Sequence, residues 1–83
     1  MKTAYDVYDG WTDESNTYQV TEGREEMIAD VIGYADGAFD INLSREVAEK
    51  IVAAFERMKA YEGGADIDEH YKAVQAPLEE IEL

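Results

Sequence analysis

The chain has 83 residues, enough for one domain with a modest core, and 46% of them are apolar, an ordinary globular share. It contains no cysteine, which excludes a disulfide framework and a thiolate metal site. Twenty acids against seven bases give a net charge of −13, a balance that repels nucleic acid and anionic membranes and attracts basic surfaces.

The opening "MKTAYDVYDG" lacks the apolar stretch of a secretory signal, and the longest unbroken apolar run, "IVAAF", is far too short to span a bilayer. The expected location is cytoplasmic. In residues 3 to 8, Thr3, Tyr5 and Val7 alternate onto one face and read as a strand. Residues 17 to 21, "TYQVT", read as a second strand with Tyr18 and Val20 together. Between them "DGWTDESN" reads as the loop of an antiparallel hairpin, or as a longer return after a tight Asp9-Gly10 turn.

Helix-spaced apolar residues Met27, Ile28, Val31, Ile32 and Ala35 predict a helix over 24 to 35, with Glu25 and Glu26 favouring its positive end. Asp36-Gly37 is its expected stop. "AFDINL" alternates Phe39, Ile41 and Leu43 and predicts a third strand. Ser44 is a good N-cap for a helix over 45 to 62, whose stripe runs Val47, Ile51, Val52, Phe55, Met58 and Tyr61 before Gly63-Gly64. Asp66 and Glu69 have capping-box spacing for a short helix to about residue 75 that buries Ile67, Tyr71 and Val74, with Pro77 as breaker. The tail "LEEIEL" fits a helical turn, a strand or a frayed end. The expected fold is a single α+β domain over 1 to 83: an N-terminal β-hairpin and a third short strand packed against two or three helices, in the order β-β-α-β-α-α.

The acids are unevenly placed. Residues 41 to 59 carry a net charge of +1, whereas residues 5 to 40 carry −9 and residues 60 to 83 carry −6. Adaptation to a salty cytoplasm would acidify every exposed helix face, and here the longest predicted helix is spared. The remaining acids suit an edge that imitates a row of phosphates toward a basic groove. Tyr5, Tyr8, Trp11 and Tyr18 supply either core or contact area, and Trp11, expected in a loop, has the least claim on the core. The candidate partner-binding residues are Asp6, Asp9, Trp11, Asp13, Glu14, Glu22, Glu25, Glu26 and Asp30.

Enzymatic chemistry is not expected. The single histidine, His70, follows three acids on a predicted short helix and reads as a surface residue rather than a catalytic one. "DGWTDE" and "DGAFDIN" fail the EF-hand spacing, because Val7 and Tyr5, and Tyr34 and Ile32, stand where ligands belong. No phosphate loop, dinucleotide fingerprint or zinc spacing is present, and no cofactor is expected.

In profile, a very small, cysteine-free, acidic domain with tyrosine-rich predicted strands resembles the DNA-mimic inhibitors carried by phages and mobile elements. These include anti-CRISPR proteins, anti-restriction proteins and uracil-DNA glycosylase inhibitors. The resemblance covers the whole chain and rests on no specific motif. It implies a non-enzymatic inhibitor, monomeric or weakly dimeric, that blocks the DNA- or RNA-binding surface of a host defence nuclease complex such as a Cas effector. It implies no direct contact with nucleic acid or membrane. The competing expectation is a structural or regulatory subunit, such as an antitoxin or accessory protein, that binds through an apolar helix face or the tail.

Overall fold

The computed structural model describes residues 1–15, 23–60 and 67–83, and those residues are all-α. Five helices follow in order: α1 (Ala4–Ser15), α2 (Arg24–Phe39), α3 (Arg45–Ala60), α4 (Ile67–Val74) and α5 (Ala76–Glu79). The expected α+β fold is therefore overturned. The described residues contain no strand, and their one β feature is an isolated antiparallel bridge between Thr3 and Glu82. The expected second strand, residues 17 to 21, lies outside the described residues.

The N-terminal segment is a helix because two local signals act together. Thr3 and Asp6 form a reciprocal cap: the Thr3 amide donates to Asp6 Oδ2 at 2.8 Å, and the Asp6 amide donates to Thr3 Oγ1 at 3.4 Å. This satisfies donors that a helix start leaves orphaned. Beyond the cap, Ala4, Val7, Tyr8 and Trp11 recur at i, i+3, i+4 and i+7, and all four are buried. The alternation of Thr3, Tyr5 and Val7 is real, but it covers only a few residues and loses to the longer helical period.

Gly10 lies inside α1 rather than in a turn. A Cβ there would overlap the hydroxyl of Tyr34 and sit 3.1 Å from Tyr34 Cζ. The glycine lets the α2 ring lie against the α1 backbone.

α2 continues past Asp36-Gly37 to Phe39. The reversal occurs at Asp40, the one non-glycine residue with positive φ among the described residues (φ 56°). There the Asp40 amide donates to the Asp36 carbonyl and the Ile41 amide to the Ala35 carbonyl, each at 3.1 Å. Aspartate tolerates this left-handed conformation better than most side chains. Residues 40 to 44 are a connector rather than the expected third strand. Of the three residues expected on one face of that strand, Leu43 is buried and Phe39 and Ile41 pack partly against the core.

α3 begins as expected. The Val47 amide donates to Ser44 Oγ at 3.2 Å, and Ala48, Ile51, Val52 and Ala54 are buried. Val74 is buried in α4, whereas Tyr71, expected inside, is 36% exposed. Pro77 sits in the first turn of α5, where its missing amide hydrogen costs nothing. The tail then docks on the N-terminus: the Ala4 amide donates to the Ile81 carbonyl at 2.9 Å, and the Leu83 amide to the Lys2 carbonyl at 3.0 Å. Buried residues from all three long helices, with Val74 and Leu78, form one core.

Candidate protein-binding face

The cap and core of α1 determine which of its side chains face water. With Ala4, Val7, Tyr8 and Trp11 turned inward, Asp6, Asp9 and Asp13 recur at three- and four-residue steps on the opposite side. Asp9 and Asp13 are exposed and Asp6 is half-buried. Asp6 has a structural duty as well. The Thr3 amide it accepts holds its carboxyl below the ordinary aspartate range, helped by the Thr3 hydroxyl and by the charges of Lys2 and the N-terminus.

Tyrosine rings border this carboxylate row. The Tyr5 ring lies 6.0 Å from that of Tyr8 and 6.4 Å from that of Tyr71, the latter edge-on at 72°. Tyr71 donates its hydroxyl to the Glu79 carboxylate. That bond, more than any other influence, pushes the Tyr71 phenol up to about 12. Burial raises the Tyr5 phenol first, and the negative charges of Asp9, Glu79 and Asp6 add to it. Tyr8 is anchored below, its hydroxyl accepting from Gln75 Nε2 at 3.2 Å, and burial raises its phenol. The result is a surface on α1, α4 and α5 where two partly exposed rings meet three carboxylates, Asp6, Asp9 and Glu79, with Asp13 farther along the α1 row.

The structure separates the other expected partner-binding residues from this face. Trp11 is fully buried, against the expectation of an exposed loop residue. Its ring packs edge-on against Phe55 at 5.4 Å, and its indole N–H donates to Asp30 Oδ2 at 2.8 Å. A helix rather than a loop carries residue 11, and the helix turns it inward. Asp30 is thereby committed to the core edge as the acceptor for that indole. Glu25 is exposed but engaged by Arg45, whose Nη2 contacts both carboxylate oxygens at 2.7 Å. Glu25 and the neighbouring Glu49 raise the Arg45 guanidinium above its ordinary range. Glu26 is exposed at the start of α2. Glu22 and the side chain of Glu14 lie outside the described residues.

Tyr71 and Glu79 belong to the face and escaped the sequence reading. Their spacing carries no motif, and only the turn between α4 and α5 brings them together. The apolar stripe of α3 is largely spent inside the molecule, with Ile51 and Val52 fully buried. Among the described residues no three histidine, aspartate or glutamate side chains are placed to hold a metal ion. None of their helices is long and apolar enough to cross a membrane. No family model, no curated protein and no solved structure matches the chain.

Proposed function

We propose that the chain is a non-enzymatic binding protein that presents the acidic tyrosine face of α1, α4 and α5 to a basic, nucleic-acid-binding surface of another protein and competes with the nucleic acid for it. The supporting observation is the sharing of one surface by the outward row Asp6, Asp9 and Asp13 and the Tyr5–Tyr71–Glu79 cluster. Carboxylates alone would give steering and salt-sensitive attraction. Tyrosine rings beside them add contact area at low entropy cost and an acceptor face for lysine or arginine, together the chemistry of a protein interface. A nuclease complex that holds its nucleic acid in a cation-lined channel is the partner this proposal favours.

The test is capture of proteins from a bacterial lysate on the immobilised chain, followed by elution with duplex DNA and with increasing salt. The expected result is a basic partner displaced by both, and lost when Asp9→Lys and Asp13→Lys are combined in a chain that circular dichroism shows to be folded. Capture that survives both substitutions and resists DNA would refute the proposal.

A further inference from the structure

A cleft of about 480 Å³ lies between α3 and the α4–α5 segment, on residues that the acidic face does not use. Its α3 wall is Lys50, Ala53, Ala54 and Arg57, a stripe at three-, four- and seven-residue spacing. The opposite wall includes Val74, Pro77, Leu78 and Ile81, with Glu80 at the same site. The opening has a simple cause: the facing positions on α3 are alanines, too short to reach the larger apolar residues across from them. Its volume falls in the range of small-molecule sites, which are mostly apolar with a few polar groups that fix orientation.

Its charged groups are Lys50 and Arg57 on α3 and Glu80 across from them, so cations outnumber carboxylates here, the reverse of the chain as a whole. Only seven of the 83 residues are Lys or Arg, and two of them line this cleft. Lys50 lies 3.8 Å from Glu46, one turn earlier on the same helix. Arg57 makes no ion pair among the described residues, and it lines the cleft together with Ala53 and Ala54 in a chain of net charge −13. Arginine presents a planar fork that matches a carboxylate in two parallel hydrogen bonds.

We propose that this cleft binds a small amphipathic monocarboxylate, its apolar chain lying between Ala53 and Leu78 and its carboxylate on Arg57. A cationic amphiphile would meet two cations, Lys50 and Arg57, against the single carboxylate of Glu80. A neutral one would gain the apolar contact and leave the guanidinium unused.

Decanoate, kept below its micellar concentration, is the probe, and the chemical shifts of the full chain's backbone amides are the readout. The expected result is saturable binding at one site, with the shifts centred on residues 50 to 57 and 74 to 81. Decanol should bind roughly tenfold more weakly or worse, the worth of a charge-assisted hydrogen bond, and decyltrimethylammonium should not bind there. Arg57→Gln should reduce decanoate affinity to the level of decanol, and Ala53→Phe should abolish binding of both by filling the cleft. Arg57 is exposed and Ala53 is on the cleft wall, so neither change removes a core contact. Equal binding of decanoate and decanol, unchanged affinity in Arg57→Gln, shifts centred elsewhere or no saturable binding would each overturn the proposal.

Discussion

Trp11 shows how one side chain can decide between two accounts of a surface. Its ring is fully buried against Phe55, and its one polar atom is satisfied by Asp30. An indole N–H has no other role than donor, so a buried one needs an acceptor. Replacing Asp30 by alanine removes that acceptor from a buried donor, and the expected cost is about 1–3 kcal/mol in urea unfolding. Asp30→Asn keeps an acceptor oxygen and should recover most of that loss. If Asp30→Ala is as stable as the parent, the hydrogen bond is not what holds the ring in place. The same pair explains why two expected contact residues are absent from the candidate face. Acids are readable as acids in a sequence, but whether a carboxylate faces water or an indole depends on a residue 19 positions away.

At the level of elements, Gly10 is a point of close approach between α1 and the Tyr34 side chain of α2. Alanine is the better helix former by about 1 kcal/mol, so on propensity alone Gly10→Ala should stabilise α1. The added Cβ instead overlaps the Tyr34 hydroxyl, and the Tyr34 ring is itself held edge-on against Phe39 at 5.7 Å. Overpacking of this kind costs roughly 1–3 kcal/mol, so Gly10→Ala is expected to destabilise. In a Tyr34→Leu background the overlap is gone and the same substitution should become stabilising. A double-mutant cycle in urea measures the coupling, and the absence of coupling would place the two helices farther apart. Much of α2, α3 and α4 was legible beforehand, because their apolar stripes are long and Ser44 caps where it should. α1 was misread although its signals were present: Thr3 and Asp6 at capping-box spacing, then Ala4, Val7, Tyr8 and Trp11. Six alternating residues, two tyrosines and an Asp-Gly pair suggest a hairpin only while residues 11 to 15 are set aside. The turn at Asp40 was hidden for another reason. An aspartate in left-handed conformation looks like any other aspartate in a sequence. The acidic stripe of α1 was legible as composition, whereas its joining to Tyr71 and Glu79 depended on how the helices pack.

For the molecule as a whole, the question is whether its charge strains it. The chain carries a net charge of −13, and the described residues have a radius of gyration of 12.3 Å. At 10 mM salt the screening length is about 30 Å, so each carboxylate feels nearly all the others, whereas at 0.1 M it is about 10 Å. Opposing this repulsion are the exposed pairs Arg24–Glu56, Arg45–Glu25, Arg45–Glu49 and Lys50–Glu46. Exposed pairs contribute little to stability and are also weakened by salt. The excess of negative charge should win, and the melting temperature is expected to rise as sodium chloride increases from 10 mM to 0.5 M. For a chain of this size each kcal/mol of relief corresponds to about 4–8 °C, readily followed by circular dichroism. Chloride is preferable to sulfate, which strengthens apolar burial and would mimic the effect. A melting temperature that falls with salt would mean that the ion pairs outweigh the repulsion. A rise would tie stability to the proposed binding role, because a basic partner laid over Asp9, Asp13 and Glu79 relieves the same repulsion that salt relieves. Partner-induced stabilisation should then be largest at low salt and shrink as screening takes its place.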